Sequence, residues 1–197
     1  MTTSPEPIEF ETPRLRVRQW RASDREPFAA LNAEPEVMEH FPAVLGRRAS
    51  DAMADRLEGL IALRGWGLWA VEEKGGAPFV GFVGLHVPTA DLPCAPCIEI
   101  AWRRARAHWG KGYATEAACG ALRVGFDRLG FDTIVSFTAV GNRRSRAVME
   151  RIGMRDTGVV FDHPTIPVGH RLRPHCLYRI TRTEWEAKQK CARQVGA

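Results

Sequence analysis

The sequence predicts an α/β fold built on one mixed sheet, and three observations carry that prediction. Residues Arg14–Trp20 alternate, with Leu15, Val17 and Gln19 on one side and Arg14, Arg16 and Arg18 on the other, which is the period of a strand. Ile98–Ala118 reads as a strand (Glu99-Ile100-Ala101-Trp102), then a loop with two glycines, then a helix in which Ala114, Ala118, Ala121, Leu122, Gly125 and Leu129 recur at helical spacing. The whole chain follows the order β-α-α-β-β-β-α-β-α-β-β, with no internal repeat, low-complexity tract or domain boundary. Its 197 residues, 45% hydrophobic, suit one domain with a single sizeable core. The expected layout is a flexible tail over residues 1–10, one domain over 11–187 and a second tail over 188–197.

Taken in order, the first strand is followed by Ser23-Asp24-Arg25-Glu26, a capping box for a helix running toward Asn32. Glu34-Pro35-Glu36 interrupts the chain. Ser50-Asp51 opens a second helix with Met53, Ala54, Leu57, Leu60 and Ile61 on its buried face, and Gly65 ends it. Leu68–Glu72 and Phe79–Val87 read as strands joined by a turn at Lys74-Gly75-Gly76. Pro88–Pro96 is a loop, and the strand–glycine loop–helix element comes next. Phe131–Ala139 is a strand, Asn142 caps a helix over Arg143–Ile152, and Gly153 stops it. Met154–Phe161 and His175–Ile180 are the last strands, and Thr183-Glu184-Trp185-Glu186 caps a terminal helix.

The glycine loop carries the most chemistry. Gly110 and Gly112 bracket Lys111, leave backbone N–H groups unshielded and permit positive φ, so their amides can converge on one point. That point is the N-terminus of the following helix, which favours an anion. Arg104, Arg106 and Lys111 add positive charge. The loop lacks the third glycine of a dinucleotide fingerprint and the Gly-Lys-Ser/Thr ending of a P-loop. On local chemistry it reads either as a phosphate cradle or as a tight turn.

A wider pattern adds to this. Glu99-Ile100-x-Trp102, then Trp109-Gly-Lys-Gly-Tyr113-Ala-Thr-Glu-Ala117, then Phe137-Thr-Ala-Val140-x-Asn142-x-x-Ser145-x-x-Val148-Met-Glu-Arg-Ile-Gly-Met154 resembles the GNAT acetyltransferases. Within them it looks most like the branch that acetylates N-termini of ribosomal proteins. The resemblance runs from about Glu11 to Trp185. It implies a mixed, mostly antiparallel sheet flanked by helices, and acetyl-CoA as donor. The diphosphate would lie on Gly110–Gly112, and the pantetheine would pair with the strand edge at Ile100, Ala101 and Trp102. Arg104, Arg106, Trp109, Lys111, Tyr113 and Ala114 complete the implied cofactor stretch, with Asn142 and Ser145 on the cofactor arm.

Moving an acetyl group from a thioester to an amine needs a deprotonated amine, a polarised carbonyl and a protonated leaving thiolate. Direct attack requires no nucleophilic cysteine. Glu99 is the first candidate base, because it lies on the strand beside the implied thioester and matches a glutamate that some family members use. His163, with Asp162 and His175, is the second, since histidine titrates near neutral pH. His108 adjoins the loop, and Glu116 sits in the first turn of the helix as a dipole-compensating acid. The tyrosine that many family members use as acid is replaced by Met149, and Ser145 is the expected substitute. Ala107 stands where the family loop usually opens with Gln or Arg, so Arg104 or Arg106 would supply that charge.

Net charge is +5, which permits nucleic-acid contact without demanding it. The clusters Arg14-Arg16-Arg18, Arg103-Arg104-Arg106 and Arg143-Arg144-Arg146 lack interleaved aromatics, so RNA is not the expected partner. The first cluster reads as a solvated sheet face. Of the five cysteines (94, 97, 119, 176 and 191), Cys94-Ala-Pro-Cys97 has metal or redox spacing, but no second pair completes a zinc site. No metal is expected, the thiols read as free, and Cys119 reads as core filler. No apolar run reaches the ~18–20 residues of a bilayer span, and the N-terminus has no leader pattern, so a cytoplasmic protein without a membrane is expected.

The acceptor is an amine, either a protein N-terminus or a small molecule. Loops Glu34–Arg48, including Glu39, His40 and Phe41, and Asp162–Pro174 would set it. Trp185 and the terminal helix are candidates for a homodimer contact. The alternative reading is a non-catalytic acetyl-CoA-binding or ribosome-associated protein of the same fold.

Overall fold

A computed structural model describes residues 5–195, with side chains placed through residue 190. Among these, eight strands and five helices form, divided between two compact units: Met1–His86 with Ala101–Ala121, and Val87–Ile100 with Leu122–Ala197.

The first unit contains β1 (Phe10–Glu11), β2 (Leu15–Arg18), α1 (Arg25–Ala33), α2 (Arg47–Arg64), β3 (Leu68–Glu73) and β4 (Gly81–His86). It also holds the second half of β5 (Glu99–Arg104) and most of α3 (Tyr113–Arg123). Pairing is antiparallel, with Phe10 opposite Val17, Val17 opposite Val71 and Trp69 opposite Val83. The alternation of the first strand puts Leu15 and Val17 inside, both fully buried. Trp20, Phe28, Phe79 and Phe82 form an aromatic core with ring centroids 4.9–6.5 Å apart. Gly120 lets α3 lie against Phe10, since a Cβ there would meet the ring at 2.4 Å.

The arginine face of β2 is only partly solvated. Arg18 is 1% exposed. Its guanidinium donates to both carboxylate oxygens of Asp24 (2.8 and 2.9 Å), to Glu72 at 2.8 Å and to the Pro78 carbonyl at 2.7 Å. A fully paired guanidinium can leave water, which the alternation alone does not reveal. Asp24 also accepts from the Arg21 amide at 2.8 Å. The expected Ser23 capping box is therefore not what opens α1: a 3₁₀ turn over Ala22–Asp24 precedes it. Helix α2 begins at Arg47, earlier than expected, and Ser50 is buried, accepting from Asn32 at 2.9 Å.

The second unit holds the start of β5, then β6 (Thr133–Ala139), α4 (Arg143–Ile152), β7 (Arg155–Asp162), β8 (Pro174–Thr181) and α5 (Arg182–Val195). β5 pairs with β6 in parallel, Glu99 opposite Val135, whereas β6–β8 and β8–β7 are antiparallel. The sheet is thus mixed and mostly antiparallel, as expected. β8 lies between β6 and β7, with Phe137 opposite Leu177 and Phe161 opposite His175. On that face Leu92, Val135, Phe161 and Leu177 form an apolar cluster.

After α3 the helix widens into a π segment, Val124–Arg128, in which the Leu129 amide donates to the Val124 carbonyl. The capping box of α5 lies two residues earlier than expected: Thr181 Oγ1 and its amide donate to Glu184, and the Glu184 amide donates back to Thr181. Trp185 is 2% exposed and stacks on Phe126 at 5.8 Å, so it is spent on its own chain rather than offered to a second copy. No helix among the described residues is long and apolar enough to cross a membrane.

Candidate active site

The glycine loop belongs to the first unit. Gly110 and Gly112 have φ of 74° and 78°, the left-handed region that L side chains adopt only under strain. A Cβ at Gly110 would meet nothing within 4 Å, and one at Gly112 only the tip of Arg14 at 3.5 Å, so the loop backbone is open. α3 begins at the next residue, Tyr113.

Arg104 is 6% exposed. One of its terminal nitrogens donates to the His108 carbonyl at 3.1 Å; the other, Nη1, is buried without a hydrogen-bond partner. Burial pulls its pKa down to about 10, which leaves it charged at neutral pH. Trp109 donates its indole N–H to the Arg104 carbonyl at 3.0 Å, fixing the loop's entry. Lys111 is exposed, with its ammonium 5.8 Å from the Tyr113 ring centre. Arg106 is not a spare cation: it is paired with Glu36 and lies over the Trp109 ring at 5.4 Å.

The loop is anchored from outside. Tyr113 donates its hydroxyl to Glu73, and this bond holds the Glu73 carboxyl below the usual carboxylate value. Glu116 accepts from Thr12 Oγ1 at 2.6 Å, from the Arg14 amide at 2.9 Å and from Arg14 Nε at 2.7 Å. Burial raises the Glu116 pKa, but these donors outweigh it and keep the group ionised. Glu116 thus ties α3 to the N-terminal segment. Burial and then Lys111 lower the His108 pKa, so it is neutral at pH 7.

In the second unit, Glu99 is 7% exposed on β5, with Ile100 fully buried beside it. The Ile100 carbonyl accepts from Ser136 Oγ at 2.9 Å. Ala101 and Trp102, which belong to the first unit, are half-buried. Near Glu99, Cys94 and Cys97 place their sulfurs 3.3 Å apart as free thiols. Burial, then Cys94 and Glu99, pushes the Cys97 thiol up to about 12, a poor nucleophile at neutral pH. Cys176 is buried, and its thiol too is pushed up by burial. The Cys191 side chain lies outside the described residues.

Asn142 caps α4 as expected. Its Oδ1 accepts from the Ser145 amide at 3.1 Å, and its Nδ2 donates to Thr138 at 2.9 Å. One Nδ2 hydrogen remains for another acceptor. Ser145 uses its amide in this cap, and its half-buried hydroxyl makes no hydrogen bond among the described residues. Met149 is 1% exposed and cannot donate. Both tyrosine hydroxyls are engaged, Tyr113 with Glu73 and Tyr178 with Arg146 and Glu150.

His163 and His175 pack with ring centroids 4.8 Å apart and planes tilted by 42°, against Phe137 and Phe161. His175 Nδ1 lies 3.1 Å from the Arg173 carbonyl, which can only accept, so that nitrogen carries the proton. Burial lowers both pKa values below the ordinary 6.5, and His163 further lowers that of His175. The unfolded chain therefore takes up protons that the folded one refuses, and stability falls as pH drops through 6.5 toward the folded values. Urea midpoints about one pH unit above and about one below 6.5 should differ, and His175→Phe should shrink the difference. Asp162 is committed to Arg173 at 2.9 Å.

Two neighbouring arginines of β5 behave differently. Arg103 and Arg104 are successive on β5, so they project to opposite faces. Arg103 was not among the expected site residues; its parity was the signal available, since it shares a face with half-buried Ala101. No group of three or more histidine, cysteine or acidic side chains able to hold a metal occurs among the described residues.

An open glycine loop at a helix start, with a buried cation behind it, has the donors that a polyanion needs. The comparisons with known proteins specify the class. A sequence profile described as "Acetyltransferase (GNAT) domain" matches residues 14–155. The YkkB protein of Bacillus subtilis is 32% identical over 144 residues, 73% of this chain and 83% of that one. The FsC-acetyl coenzyme A-N(2)-transacetylase of Aspergillus fumigatus is 30% identical, covering 96% of this chain and 83% of that one. A crystal structure of a GNAT-family acetyltransferase from Bacillus anthracis shares the fold, with a TM-score of 0.74 at 24% identity, covering 89% of this chain and 99% of that one. The chain belongs to the GNAT acetyltransferase family. It is an acetyltransferase, and the family's cosubstrate is acetyl-CoA.

Proposed function

We propose that the protein transfers an acetyl group from acetyl-CoA to a primary amine, on a protein N-terminus or a small molecule, by direct attack. The observation that carries this reading is the loop itself: two left-handed glycines with open backbone, ahead of α3, beside a buried guanidinium nitrogen with no partner. These residues fit a diphosphate. Gly110, Gly112, Tyr113 and Ala114 would hold it with backbone amides, and Arg104 and Lys111 with charge. Ile100, Ala101 and Trp102 on β5 and the spare Asn142 Nδ2 hydrogen would hold the arm.

Bound acetyl-CoA supplies a thioester carbonyl as electrophile and a thiolate as leaving group. Glu99 takes the amine's proton, directly or through a water. Ser145 offers its unengaged hydroxyl proton to developing negative charge. Neither tyrosine hydroxyl is spare for that role, and Met149 has none. The raised Cys97 and Cys176 thiols support direct attack over a cysteine relay. The neutral His163–His175 pair is the second candidate for the base.

Initial rates with both substrates varied test direct attack: intersecting double-reciprocal lines are expected, and parallel lines would replace it with a covalent acetyl-enzyme. The cradle has its own test. Gly112→Ala forces an L side chain to φ +78°, a strain of about 1–2 kcal/mol. Calorimetric titration should show acetyl-CoA binding weakened on the order of tenfold.

A further inference from the structure

Arg103 is a buried cation that the acetyl-transfer roles above do not use. It is 8% exposed. Nη1 donates to Asn32 Oδ1 at 2.6 Å, and Asn32 is itself fully buried and fixed by Ser50. The Phe41 ring lies over the guanidinium carbon at 4.0 Å and Phe82 at 5.5 Å. Both rings lie within cation–π distance of the guanidinium and offer it no hydrogen-bond acceptor. Nε is buried with no hydrogen-bond partner, and Nη2 makes no hydrogen bond among the described residues. No carboxylate there lies within ion-pair distance, and burial alone pulls the pKa down to about 10. Arg18, also buried, shows the contrast: Asp24 and Glu72 are both paired with it.

A buried guanidinium left without an anion carries a desolvation cost that a ligand can offset. Its free Nε–Nη2 edge presents two parallel N–H groups, the fork that matches a carboxylate. The donor's phosphates are not that ligand, because Arg104 serves their loop and Arg103 projects to the other face of β5. The remaining substrate is the acceptor. We propose that Arg103 binds a carboxylate on the acceptor, so that the preferred substrate is a small amine that also carries a carboxylate. This assignment rests on the acetyl-transfer reading and narrows its acceptor.

The test compares ω-amino acids of graded chain length with the matching ω-amino carboxamides, using wild-type protein and acetyl-CoA. At one chain length kcat/KM for the carboxylate should exceed that for the carboxamide by about tenfold or more. Arg103→Gln should bring that ratio to about one. If Arg103→Gln does not fold, Asn32→Asp serves: it keeps the shape, sets an internal carboxylate against Nη1, and should likewise reduce the ratio. Equal rates for each pair at every length would overturn the assignment. So would a ratio that survives both variants, or acetylation of peptide N-termini with every small amine left unmodified.

If no amine of any kind is acetylated, the acetyl-transfer reading fails instead, and calorimetric titration of the same ω-amino acids decides the role of Arg103. Binding by the wild type but not by Arg103→Gln, and not of the carboxamides, supports it. No binding by the wild type overturns it.

Discussion

Glu99→Gln should lower kcat by about 10²–10⁴-fold while acetyl-CoA affinity is retained, because the amide keeps the shape of the carboxylate and cannot take a proton. Glu99 stands 7% exposed on β5, opposite Val135 of β6. The substitution leaves the glycine loop and its arginine intact, so donor binding and turnover separate. Stopped-flow release of the CoA thiol gives the first quantity and calorimetric titration of acetyl-CoA the second. A variant with unchanged turnover would transfer the base role to the His163–His175 pair. Loss of donor binding together with turnover would make Glu99 a structural residue.

The largest stability effect is expected at Arg18. Asp24→Ala removes the carboxylate that grips its guanidinium through both oxygens, and leaves a charge that is 1% exposed with only part of its partners. Breaking such a pair costs about 3–5 kcal/mol. For a chain of this size that is a fall in melting temperature on the order of 10 °C. Thermal unfolding followed by circular dichroism checks it. Exposed pairs such as Arg47–Asp51 should cost well under 1 kcal/mol when broken. The Arg18 hydrogen bond holds the Glu72 carboxyl below its ordinary 4.5, outweighing its burial. Its contribution is therefore present above pH 4.5 and lost as pH falls through the lower folded value.

Legibility in the sequence followed the range of each interaction. The glycine loop and the Asn142–Gly153 helix could be read because their causes are local: positive φ at Gly110 and Gly112, a cap from Asn142 to the Ser145 amide, a left-handed stop at Gly153. The position of β8 between β6 and β7 could not, since register across that distance depends on which faces meet. The short strand at Phe10–Glu11 shows no alternation, and its place is set by Trp69 and by the absent Cβ of Gly120. Arg18 and Arg103 look alike along a strand. One is neutralised by Asp24, six residues on, and by Glu72; the other, among the described residues, has a hydrogen bond to Asn32 and ring contacts with Phe41 and Phe82 but no ion pair. The Thr181–Glu184 box was displaced because Thr181 and Thr183 both fit the cap pattern, and the end of β8 selects the first.

The acetyl-transfer reading comes most directly under test when purified protein is mixed with labelled acetyl-CoA and a lysate separated into protein and metabolite fractions. The expected result is label covalently attached to an amine, in the metabolite fraction if Arg103 selects the acceptor. Acetyl-CoA that is bound but yields label in neither fraction would contradict it.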